Sequence, residues 1–96
     1  MVIRALDHVK QCNTAEDGKI INDILRPMLR KRKHVTLSFD GVSDVPSSFV
    51  NASIVTLLEE FDDDFVKSHL RLIDATKQIA DMVRRCLANG IRRFKQ

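Results

Sequence analysis

The stretch from Val35 to Val50 constrains the fold more tightly than any other part of the chain. Val35, Leu37 and Phe39 alternate with polar residues in a run rich in β-favouring types, which predicts a strand over His34–Phe39. Asp40 and Gly41 end that strand with turn chemistry. Pro46 then biases Val45 towards an extended backbone, and Ser47 or Ser48 stands where a helix cap would stand. Phe49, Val50, Ile54, Leu57, Leu58 and Phe61 continue as one apolar helical stripe. Two hydroxyls at such a junction can cap the helix, or can meet a phosphate or a partner's polar group.

The remaining segments alternate in the same way. Val2 to Val9 reads as a first strand, and Thr14 as the cap of a helix with acids in its first turn. Gly18 weakens that start, so the regular helix is expected to begin after it. Ile20, Ile21, Ile24, Leu25, Met28 and Leu29 share one helical face, while Pro27 should kink or restart the helix. The block Asp62 to Asp64 is expected to end the second helix, and Phe65 to Ile73 to contain a third strand. Asp74 would cap a last helix over Ala75–Ala88, with Ile79, Met82, Val83, Cys86 and Leu87 inward. Asn89 and Gly90 suit a C-terminal cap, although Ile91 and Phe94 continue the stripe. Strand and helix alternating three times is the order of an α/β fold with parallel pairing and right-handed crossovers.

With 96 residues, 44% of them hydrophobic and 30% charged, the chain has the composition of one soluble globular domain. It has no apolar run of the roughly 20 residues a membrane span needs, and no secretion signal is visible. Cys12 and Cys86 are isolated, which favours reduced thiols and a cytoplasmic setting. A net charge of +3 is too small to argue for nucleic acid, but its distribution is uneven. Arg26 and Arg30 to Lys33 crowd one segment, and Arg84, Arg85, Arg92, Arg93 and Lys95 crowd another. Glu59 to Asp64 supply an opposing acidic block.

Leu37 to Val42, followed by Ser47, Ser48 and Phe49 opening a helix, resembles STAS domains (sulphate transporter and anti-sigma-factor antagonist). The likeness is strongest to the STAS-like family of uncharacterised bacterial and phage proteins, with Asp17 and Gly18 matching the start of that family's first helix. The resemblance implies a small βαβαβα domain over residues 1–96, a mostly parallel sheet covered by helices. It also implies a non-enzymatic regulatory module that works by binding proteins, with an ATP-binding switch kinase of the anti-sigma type as the partner. In the antagonists a serine at this helix start is phosphorylated by the partner, which breaks their complex. Ser47 falls on that position and Ser48 beside it. Pro46 stands where the antagonists usually carry an acid, and Phe49 where they carry glycine, the latter in agreement with the STAS-like family. On this reading Pro46, Ser47, Ser48 and Asn51 form the partner-binding surface, and uncovered sheet positions leave a homodimer open.

Other chemistries are weaker in the sequence. Arg84, Arg85, Arg92 and Arg93 on a C-terminal helix offer an alternative contact with nucleic-acid phosphates, but no Tyr or Trp is present to stack on bases. His8, His34, His69 and Cys12 lack close ligand spacing, and the acidic block lacks a calcium-loop pattern, so no metal is expected. No phosphate loop, nucleophile elbow or cofactor motif is present, so no enzyme activity and no cofactor are expected.

Overall fold

The computed structural model describes residues 1–94. Three strands, β1 (Val2–Arg4), β2 (Val35–Ser38) and β3 (Leu70–Ile73), alternate with helices α1 (Ala15–Arg30), α2 (Ser47–Ser53), α3 (Asp63–His69) and α4 (Lys77–Phe94). Two 3-10 turns, Ala5–Asp7 and Val55–Glu59, complete the path. The sheet order is β1-β2-β3, all parallel, with Ile3 beside Leu37 and Leu37 beside Leu72.

Both crossovers step across the sheet in the same direction. Right-handed connections of that kind lie on the same face, so the helices cover one side only. Burial follows that division. Ile3, Val35, Leu37 and Leu70 point into a core with Ile21, Leu25, Leu29, Phe49, Ile54, Leu57 and Ile79. The neighbouring register row Val2, Thr36 and Arg71 faces outward, with Val2 66% exposed. A parallel sheet left open on one face is uncommon.

Helix α1 begins at Ala15, earlier than the glycine suggested, because Thr14 and Asp17 form a reciprocal capping box. Gly18 is instead needed for contact: a Cβ there would lie 2.5 Å from the Phe49 carbonyl oxygen and 2.9 Å from the Ala52 Cβ. It lets α1 lie directly on α2. Pro27 does not interrupt the helix; it is exposed in the last turn, where it removes one hydrogen bond and little else. A buried polar seam fixes the two helices in register. The Asn22 amide donates to the Ser53 carbonyl and the Thr56 hydroxyl, both at 3.0 Å, and accepts from Arg26 Nε at 2.7 Å. Arg26 and Arg30 both reach Glu60, and the Arg30 hydrogen bond holds that carboxyl below its usual range. Part of the basic run is therefore matched internally by the acidic block.

Other expectations need correction. The first strand stops at Arg4, because the amides of His8 and Val9 both turn back to the Ala5 carbonyl. Helix α2 gives way to a 3-10 turn after Ser53. Asp63 and Asp64 begin α3 rather than ending a helix, and Lys67 and His69 occupy its last turn. Both charge signs thus suit the helix dipole, and the third strand expected within residues 65–73 is present as Leu70–Ile73, after the helix ends. Asp74 has φ 56° and accepts from the Ser38 hydroxyl at 2.7 Å; the Thr76 hydroxyl accepts from the Ile79 amide at the start of α4. Helix α4 continues through Gly90, whose missing side chain leaves room for Val55: a Cβ would lie 2.4 Å from Val55 Cγ1. Lys95, and the side chain of Phe94, lie outside the described residues.

Cys12 and Cys86 are both buried. Burial pushes the Cys12 thiol up to about 11, with Asp17 adding to the effect. Cys12 in the native protein should therefore stay protonated and resist iodoacetamide near pH ~8 until the chain unfolds. Mass spectrometry of alkylated material with and without denaturant checks this; rapid native labelling of Cys12 would contradict its packing.

Candidate functional site

The junction between β2 and α2 is built by a loop clamped at both ends. Gly41, at φ +85°, makes the turn out of the strand, with the Val42 amide donating to the Phe39 carbonyl at 2.9 Å. The loop then binds the start of α4. The Thr76 hydroxyl donates to the Ser43 carbonyl at 2.8 Å, and the Gln78 side-chain amide makes two 3.0 Å hydrogen bonds to Val45, one to its N–H and one to its C=O. A side-chain amide that pairs both backbone groups of one residue acts as a strand partner would. Thr76 and Gln78 were not singled out from the sequence, because a polar pair at a helix start carries no sign of what it will reach.

Pro46, extended at φ −82° and ψ 164°, is the residue that enters α2, and no side chain caps this helix. Ser47 and Ser48 are the first two helical residues rather than caps, because the proline itself supplies the extended backbone and the helix follows at once. Both serines are exposed, while Phe49 and Val50 behind them are fully buried. The hydroxyls thus sit on a turn whose backbone is anchored in the core.

Ser47 and Asn51 form one wall of a cleft of about 320 Å³, with Met82, Arg85, Asn89 and Arg93 of α4 opposite. Pro46 and Ser48 do not line it. The fold thus brings two of the four candidate interaction residues beside two of the four candidate arginines. Arg84 lies elsewhere on α4, paired with Asp81 at 3.3 Å, and Arg92 is exposed outside the cleft. Cys86 also lines the cleft; burial raises its thiol pKa and the Arg85 charge opposes that rise.

His34 and His69 come together, their rings stacked 4.7 Å apart. Among the described residues no group of three or more His, Cys, Asp or Glu side chains could hold a metal ion. No helix among them is long and apolar enough to cross a membrane.

A family comparison bears directly on this arrangement. The STAS-like domain of unknown function (DUF4325) matches residues 17–80, from Asp17 in the first turn of α1 through β2, the clamped loop and α2 to the first turn of α4. The chain belongs to this STAS-like family. No curated protein and no solved structure matches it. The matched span of the STAS-like domain contains Gly18, Ser47, Ser48 and Gln78, and it stops short of the basic half of α4.

Proposed function

We propose that this STAS-like domain is a non-enzymatic regulatory module that binds a protein partner through the start of α2, with Pro46, Ser47, Ser48 and Asn51 at the contact. The observation that carries this reading is the pair of exposed serines, free of any capping duty, on a backbone anchored by Phe49, Val50 and the Gln78 clamp. Preorganised polar tips of that kind lose little freedom on binding. Phosphorylation of a serine here is the switch: it adds about −1.5 to −2 charge to a surface that a partner meets as a neutral hydroxyl. The resemblance to anti-sigma-factor antagonists suggests an ATP-binding switch kinase as the partner class.

Affinity capture of the native protein with phosphosite mapping tests the reading. Ser47→Asp or Ser48→Asp should weaken the captured complex at least ~10-fold, while thermal stability changes little because both side chains are exposed. Wild-type binding by both variants would end the switch reading. The competing use of α4 on nucleic acid draws on the exposed Arg85 and Arg92. A complex whose affinity falls steeply with added salt and with Arg85→Gln and Arg92→Gln, and not with the serine variants, would favour it.

A further inference from the structure

The N-terminal end of the sheet carries a feature that the α2 surface does not use. Four rings run in sequence through space: Phe61 on Phe65 at 5.2 Å and 11°, Phe65 on His69 at 4.0 Å and 15°, and His69 on His34 at 4.7 Å and 9°. Three come from positions four residues apart on and before α3; the fourth comes from the segment entering β2. His69 is fixed in place, its Nδ1 at 2.9 Å from the Phe65 carbonyl and 2.8 Å from the Ser68 hydroxyl. His34, the terminal ring of the run, is exposed.

A cleft of about 580 Å³ opens beside that ring, lined among others by His34, Thr36, Lys67, His69 and Arg71. No Asp or Glu lines it. Arg71 is exposed on the helix-free face of the sheet, next to Thr36, and has no ion-pair partner among the described residues. Lys31, Arg32 and Lys33, all exposed, lead the chain into His34. Lys67 is exposed and makes a 4.0 Å ion pair with Asp63 of its own helix. Flat rings beside exposed cations are what a base and its phosphates require together.

We propose that this end of the sheet binds single-stranded nucleic acid, with a base stacked on His34 and the backbone phosphates along Lys67 and Arg71. The lack of Tyr and Trp is answered by a platform of His and Phe. Stacking is indifferent to base identity, and only an unpaired strand offers a free base face, so the site is sequence-tolerant and specific for single strands. It lies at the opposite end of β2 from Ser47 and is independent of the protein-binding reading.

The test is fluorescence anisotropy of the whole chain with end-labelled oligothymidylate and oligouridylate, repeated over a salt series. His34→Ala should weaken binding roughly 5- to 50-fold, and His34→Trp should restore or exceed wild-type affinity. Arg71→Gln should lower the salt slope by about 0.7, the loss of one phosphate contact. Arg92→Gln on α4 should leave the affinity unchanged. Because His34 is exposed, circular dichroism of its variants should match wild type. No saturable binding of either oligonucleotide, wild-type affinity for His34→Ala, or a His34→Trp as weak as the alanine variant would overturn the proposal. So would a loss confined to Arg92→Gln, which would move the contact to α4.

Discussion

Ile54→Asp is expected to abolish the cooperative thermal transition of this domain. Ile54 is 1% exposed and closes α2, its amide donating to the Val50 carbonyl at 2.9 Å. Its side chain lies in the core that also holds Phe49, Val55 and Leu57. A carboxylate there would lose its hydration in a core whose buried side chains, among the described residues, include no cation, and even the protonated acid would leave polar atoms unpaired. Losses of this kind exceed about 4 kcal/mol, a large share of the roughly 5–15 kcal/mol that holds a small domain together. Far-ultraviolet circular dichroism during heating provides the measurement. A sigmoidal melt near that of the wild type would mean that Ile54 does not pack as described.

Gly18→Val should be the next most damaging change, although it adds only apolar atoms. The new Cβ would meet the Phe49 carbonyl oxygen at 2.5 Å and the Ser53 nitrogen at 3.2 Å, both backbone atoms that no rotamer change can move. Helices α1 and α2 must separate to admit it. Overpacking of this sort costs about 1–3 kcal/mol, and each kcal/mol lowers Tm by about 4–8 °C in a domain of this size. Separation also strains the Asn22 seam to Ser53 and Thr56, so the fall should lie towards the upper end. Calorimetry of wild type and variant gives the shift directly. An unchanged Tm would mean that the two helices do not meet at Gly18. Since α2 carries Ser47 and Ser48, the same variant should bind the captured partner less well at temperatures where it is still folded.

The parallel α/β order was legible because β2 with its flank and the α1 stripe are regular signals: Val35, Leu37 and the adjoining Phe39 for one, Ile21, Leu25 and Leu29 for the other. The reading faltered where one residue type serves two purposes. Gly18 and Gly90 look like helix weakeners and terminators in a sequence, whereas here they permit close approach of Phe49 and Val55. The acids at 62–64 look like a stop, yet acids equally favour a start, and only the packing of Val66 and Leu70 decides between them. At the candidate site the serines were visible from their place after Pro46, but their freedom from capping was not, since it depends on the backbone of Pro46. The Gln78 clamp and the His34–His69 stack join residues 33 and 35 positions apart, and no local pattern announces them.

The one-sided placement of the helices has a consequence for how this domain can change over time. Residues such as Val2, Thr36 and Arg71 support no packing behind the sheet, so exchanges there alter stability by only about 0.5 kcal/mol either way. Selection can therefore rewrite that bare back almost without penalty, while the helical front must keep its interlocking shapes. New binding habits can be acquired on one side of the domain as the other conserves the architecture.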